Sequence, residues 1–228
     1  MTELVLASNN RKKIAELETF FASASSNDIR VKTLAEIGWT EEIEETGAAF
    51  EENSLIKASA PARLGMIGIA DDSGLAVDAL GGAPGVYSAR YSGEGATDRT
   101  NREKLLRELA GVPDEERGAR FVCVMTLVLP PDCGLTVPRE WRADPALCRK
   151  YGLLPETVMN VRGACEGRIL TAERGDGGFG YDPLFWYPEF GATFAEVEQE
   201  KKNRVSHRGR AMKEFTRRLL RILGEADG

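Results

Sequence analysis

The chain has 228 residues, 42% of them hydrophobic, enough to bury a substantial core as one domain or two closely packed lobes. Its 36 acidic and 30 basic residues give a formal net charge of -6, and the basic residues are scattered, so nonspecific nucleic-acid binding has little support and an anionic ligand must be met locally. Cysteines at 123, 133, 148 and 165 include no Cys-x-x-Cys pair, and one histidine in the chain argues against zinc. The first apolar run is too short for a secretory signal, and nowhere do about 18 apolar residues follow one another, so a soluble, cytoplasmic protein with no membrane partner is expected.

Residues 3–7, ELVLA, read as a short strand, and Ser8-Asn9-Asn10 after them as a helix cap. The helix carries Ile14, Leu17, Phe20 and Phe21 on one stripe, and a strand, turn and helix in succession open an α/β unit. IRVKTL (29–34) reads as a second strand, and the acidic EEIEETG (41–47) leads into a helix from about Ala48 to Leu64. Pro61 should kink or end that helix near Ala60, because it lacks a backbone donor and crowds the preceding turn.

IGIA (67–70) reads as a buried strand ending at Asp71-Asp72, followed by a long glycine-rich loop. Residues 97–111 form a helix with Thr97 as N-cap and Gly111 as stop. RFVCVMTLVL (120–129) is apolar nearly throughout and reads as a central strand. The proline-rich stretch at about 130–160 reads as an insertion or peripheral excursion, with a short helix in ADPALCRKYGLL. A strand over 158–170, a rigid loop GDGGFGYDPLFWYP with buried aromatics, and an amphipathic helix over 206–223 complete the chain.

Four constellations carry chemistry. Ser8, Asn9, Asn10, Arg11, Lys12 and Lys13 sit where a strand turns into a helix, and such a turn seats phosphate through free N–H groups and the dipole; an ordinary capped helix is the competing reading. Glu44-Glu45 and Asp71-Asp72-Ser73 offer hard oxygen ligands, and magnesium needs only one carboxylate from each stretch, although the glutamates also fit a solvated acidic run. In Gly177-Gly178-Phe179-Gly180-Tyr181-Asp182, glycines let backbone approach a flat ligand, with Phe179 stacking on a base and Asp182 accepting from its ring N–H edge; a tight turn with core anchors is the alternative. Lys201-Lys202 and Ser206-His207-Arg208 place cations against the positive end of the last helix, where they call for an anion or an acceptor.

In this order, LASNNRKKIAEL, EETG with FEENSLIKA, ADDSGLAVDALGGAPGVYSARYSG, GGFGYDPLF and SHRGRAM closely resemble the inosine triphosphate pyrophosphatase family over nearly the whole chain, apart from roughly 130–160. The resemblance implies an α/β fold with a long mixed sheet flanked by helices, two lobes with the site in the cleft between them, and a homodimer. It implies hydrolysis of ITP, dITP or XTP to monophosphate and pyrophosphate with Mg2+. The family motif falls on Ser8, Asn10 and Lys13 for the triphosphate, and the metal ligands on Glu44 and Asp72, with Asp72 also the general base and Ser73 beside it touching substrate. The base pocket falls on Phe179, Gly180, Tyr181, Asp182, Lys202, His207 and Arg208, with Lys57 a further contact. The rival readings are a Maf-like pyrophosphatase of pyrimidine or modified nucleotides and a catalytically silent nucleotide-binding protein.

Overall fold

A computed structural model describes residues 2–8, 11–24 and 29–224. Alternating strands and helices open the chain: β1 (Thr2–Leu6), α1 (Arg11–Ala24), β2 (Ile29–Thr33), α2 (Phe50–Ala62) and β3 (Ile67–Val77). α3 (Asp98–Glu108), β4 (Gly118–Val128), α4 (Pro145–Lys150) and β5 (Val158–Ile169) follow. β6 (Phe185–Tyr187), β7 (Ala192–Thr193), α5 (Gln199–Val205) and α6 (His207–Ile222) close it.

The strands form one mixed sheet of seven in the order β2-β1-β3-β4-β5-β6-β7. β1 runs parallel to both β2 and β3, with Leu4 opposite Val31 and Ile67, as helical crossovers on either side of it require. β5 pairs antiparallel with β6, and β6 antiparallel with β7.

The chain divides into two compact units. The first takes residues 1–72, 124–162 and 211–228, the second 73–123 and 163–210, so β3 passes from one to the other between Asp72 and Ser73. In the first, α2 packs Leu55, Ala58 and Ala62 with Val5, Ala70, Val128 and Val158. In the second, Leu75, Leu105, Tyr181 and Tyr187 surround an aromatic group in which Phe121 and Phe185 ring centroids lie 4.6 Å apart and Phe185 and Phe194 5.0 Å apart. Aromatic pairs in such tilted arrangements add stability beyond the area they bury.

Several expectations needed correction. β3 does not end at the aspartates but runs through Asp71, Asp72 and Ser73 to Val77. A strand is held by its backbone, so polar side chains need not stop it, and alternation sends Asp71 and Asp72 to opposite faces. Pro61 is the exception and acts as expected: α2 ends at Ala62, one residue beyond it, because the last turn of a helix uses its N–H groups and proline has none to give. The excursion is also not merely peripheral: α4 buries Cys148 against the α2 cluster, beside Ala143 and Leu147. β6, β7 and α5 were not anticipated.

Thr97 caps α3 as expected, in a reciprocal box with Thr100. No disulfide joins the cysteines, and no helix among the described residues is long and apolar enough to cross a membrane.

α2 meets β3 at backbone distance. A Cβ at Gly68 would lie 2.0 Å from the Ala58 carbonyl oxygen. Ser54 Oγ donates to Thr126 Oγ1 at 2.5 Å, and Thr126 Oγ1 donates to Asn160 Oδ1 at 2.8 Å, a polar chain from helix to strands whose first bond is buried. Gly68→Ala is therefore expected to destabilise the protein by about 1–3 kcal/mol, the usual cost of overpacking. Urea unfolding measures it, and an unchanged midpoint would mean that α2 can shift without loss.

Candidate active site

The segment before α2 has no ladder of its own and borrows partners from the helix. Gly47 N–H donates to Asn53 Oδ1 at 2.8 Å, and Ala48 N–H to Glu52 Oε2 at 2.7 Å. A Cβ at position 47 would lie 2.5 Å from Glu52 Cβ, so the Glu-Glu-Thr-Gly run needs its glycine for this close approach. Further along α2, Lys57 brings its ammonium 2.7 Å from Glu45 Oε1 and 3.6 Å from Asp72 Oδ1. Gly68, Ala70 and Asp72 share the face of β3 that meets α2, which is why the helix can reach that carboxylate.

A cavity of about 270 Å3 opens here, lined by Ser8, Glu41, Glu42, Glu45, Lys57 and Asp71 along with apolar neighbours. Four acidic residues and one lysine stand in that lining, and the lysine pairs with Glu45. Like charges so placed repel, and a cation relieves the repulsion. The donors are all hard oxygens, which suits magnesium: it takes one or two carboxylates and fills its other positions with water and phosphate oxygens. Among the described residues no three His, Cys, Asp or Glu side chains gather into a metal cage.

The second unit holds a different kind of pocket, about 200 Å3 in volume and mainly apolar, whose lining includes Ser73, Phe121, Phe179, Tyr181, Lys202 and His207. Its loop is folded around one carboxylate. Asp182 Oδ2 accepts from Phe179 N–H at 2.9 Å and from Lys202 Nζ at 2.5 Å, with both charged side chains almost fully buried. Gly178 is at φ +74°, and a Cβ there would lie 2.3 Å from Asp182 Oδ2, so no other residue fits. Gly180 is held at both ends, its N–H by Asp98 Oδ2 at 2.7 Å and its carbonyl by Arg102 Nη1 at 2.9 Å. Tyr181 OH donates to the Ser88 carbonyl at 2.9 Å, and burial raises its pKa above the ordinary tyrosine value. It stays a neutral donor at physiological pH.

Phe179 stands out of this loop, 69% exposed, with the Lys202 ammonium 4.4 Å from its ring centroid. The His207 ring stacks on that of Phe121, with centroids 5.0 Å apart and planes nearly parallel at 16°. Ser206 Oγ accepts from Gly209 N–H at 3.1 Å, capping the start of α6.

Sequence reasoning thus meets the structure unevenly. Ser8, Lys57 and Asp72 gather in the first unit, and Ser73, Phe179, Gly180, Tyr181, Asp182, Lys202 and His207 in the second. Asn9 and Asn10 lie outside the described residues, and of Arg11, Lys12 and Lys13 only the helical backbone is described. Glu44 is exposed, and it is its neighbour Glu45 that turns to Lys57. Arg208 is half-buried in the first turn of α6, and the pocket lining takes in His207 but not Arg208. Asp182 Oδ2, expected at a base edge, serves the loop and Lys202 instead.

Asn101 was missed. It is buried, accepts from Ser92 N–H at 2.7 Å and donates to the Ala89 carbonyl at 3.1 Å, tying α3 to the glycine loop beside Tyr181. The signal was there: Asn101, Leu105 and Leu109 form one stripe, and an amide among leucines needs partners.

The Ham1 family profile matches residues 4–218. A dITP/XTP pyrophosphatase of Desulfotalea psychrophila is 45% identical over 221 residues, spanning 96% of this chain and 86% of that protein. One from Pseudomonas aeruginosa is 46% identical over 220 residues, 96% of this chain and 98% of that protein. Among solved structures, a HAM1 protein from Coxiella burnetii superposes with a TM-score of 0.81 at 36% identity, covering 97% of this chain and all of that one. The matched range spans both units and the excursion, so the order of motifs, the mixed sheet and the near-full-length identity agree that this chain belongs to the Ham1 family.

Proposed function

We propose that the protein hydrolyses nucleoside triphosphates of deaminated purines, ITP, dITP and XTP, to the monophosphate and pyrophosphate. The observation that carries this reading is the division of labour at two consecutive residues: Asp72 belongs to an acidic, lysine-bearing group and Ser73 to a mainly apolar pocket with an exposed aromatic. The two ends of a nucleotide ask for those two environments. The names borne by the relatives support the same substrate class.

Attack of water on the α-phosphorus requires a positioned acceptor for its proton and neutralisation of charge along the phosphates. Asp72 is the proposed acceptor, held by Lys57 at 3.6 Å. Ser8 and the start of α1, with Asn9, Asn10, Arg11, Lys12 and Lys13, are assigned to the triphosphate. Asp72 and a carboxylate of the Glu44–Glu45 pair would hold magnesium, which when bound would supply charge neutralisation along the phosphates and lower the pKa of the attacking water. Glu44 is the ligand that family resemblance suggests, and the Glu45–Lys57 contact supports Glu45 as the alternative.

At the other end, Phe179 stacks on the base while Lys202, His207 and Arg208 supply donors. Donors aimed at a 6-oxo group leave an adenine 6-amino group facing another donor, and such mismatches are rejected strongly. The working form is proposed to be a cytoplasmic homodimer acting on free nucleotides, with no nucleic-acid or membrane partner.

The direct test is product analysis with Mg2+ and ITP, dITP, XTP, GTP, ATP and dTTP, with pyrophosphate scored apart from orthophosphate. Pyrophosphate from ITP, dITP and XTP with ATP spared is the expected result; orthophosphate, or pyrophosphate chiefly from dTTP, would overturn the assignment. Asp72→Asn is expected to lower kcat by about 100-fold or more, as loss of a general base does, with the circular dichroism of the folded protein retained. Arg208→Ala should reduce the ITP to ATP ratio of kcat/KM by about tenfold or more, the worth of a charged hydrogen bond. Undiminished selectivity would move the 6-oxo contact to Lys202 or His207.

A further inference from the structure

The excursion at 130–160 reaches back to the acidic segment. Lys150, the last residue of α4, forms an ion pair with Glu52 Oε1, and the adjacent Tyr151 OH donates to the same oxygen at 3.4 Å. The Lys150 ammonium lies 5.4 Å from the Tyr151 ring centroid, so the two donors are packed together. Glu52 is itself the anchor of the segment before α2, since its other oxygen accepts from Ala48 N–H at 2.7 Å.

The geometry makes a continuous line. The Glu52 side chain is only 12% exposed, so its orientation is set by protein donors rather than water. With Oε1 fixed by Lys150 and Tyr151, Oε2 is presented to Ala48, and Gly47 beside it is fixed by Asn53. Two residues before Gly47 stands Glu45, with its carboxylate on Lys57. α4 is a firm base for this, because Asp144 Oδ1 caps its first turn at 2.8 Å from Ala146 N–H and Cys148 is buried against α2.

We propose that Lys150 and Tyr151 are positioning residues for the carboxylates at 44 and 45: by orienting Glu52 they fix Ala48 and Gly47, and so preset the acidic segment for a divalent cation. The excursion is then part of the metal-binding apparatus. The inference rests on the reading that Glu44 or Glu45, with Asp72, takes Mg2+. Partners of this indirect kind typically govern metal affinity by about 10- to 100-fold.

Lys150→Met and Tyr151→Phe, alone and together in the full chain, test it. Amide hydrogen exchange of the metal-free protein should quicken over residues 44–49, and the Mg2+ concentration for half-maximal pyrophosphate release should rise about tenfold in the double variant. The kcat at saturating Mg2+ and the nucleotide KM should stay near wild type, and Lys150→Arg should behave as wild type. Arg162→Met removes a contact of 2.8 Å to Glu51 in the same helical turn without touching Ala48, and serves as the control for general loosening.

Unaltered exchange and unaltered Mg2+ dependence in the folded double variant would overturn the proposal. So would equal changes in the Arg162→Met control, or a loss of kcat that saturating Mg2+ does not restore. Failure of the functional reading is separable: it would appear in the wild type as no Mg2+-supported pyrophosphate release, while exchange over 44–49 would still judge the positioning role.

Discussion

The Lys57 ammonium, shared between Glu45 and Asp72, is the interaction on which the acidic half of the site depends. Three features must coincide for it. Gly68 lets α2 lie against β3 with no side chain between them, and alternation along β3 then puts Asp72 on the helix-facing side. α2 runs straight enough for position 57 to stand over that carboxylate. A single lysine among several acids leaves the lining of this cavity net negative, the electrostatic setting that a cation would relieve.

The second unit solves a different problem by the same means. A loop rich in glycine has high conformational entropy, yet this one is closed on Asp182, which gathers a backbone N–H and a buried lysine on one oxygen. Gly178 permits the closure, since any Cβ there would collide with the carboxylate. The outcome is that Phe179, fully hydrophobic and mostly exposed, is carried on a rigid support. An aromatic so held has little ordering left to lose when a flat ligand covers it.

Most of the architecture was legible because strands β1, β2, β4 and β5 and helices α1, α2, α3 and α6 each span enough residues for their period to show. What failed has local causes. β3 was cut short because an apolar run ends at Asp71, whereas the hydrogen-bonded backbone does not. β6 and β7 have three and two residues, too few for any pattern. Motif order singled out Lys57, Asp72 and the 179–182 loop for the candidate site, but which of Glu44 and Glu45 turns to Lys57 is decided by the path of an irregular segment. Asn101 was hidden because a helix reading attends to leucines, and its partners on the glycine loop lie remote in sequence.

That irregular segment shows how a stretch without a ladder becomes a precise element. Between Trp39 and Ala49 no strand or helix satisfies its backbone, so side chains of α2 do: Asn53 takes Gly47 N–H and Glu52 takes Ala48 N–H, while Lys57 takes the Glu45 carboxylate. Glu52 does double duty, because an acid in the first turn of α2 also complements the helix dipole. Lys150 and Ala48 both hydrogen-bond its carboxylate and hold its pKa below the ordinary glutamate value. Its folded value being the lower one, the stability it lends is complete above the ordinary carboxylate range and fades only as pH falls through that lowered value. At neutral pH the backbone at Ala48 is therefore anchored by an ionised carboxylate.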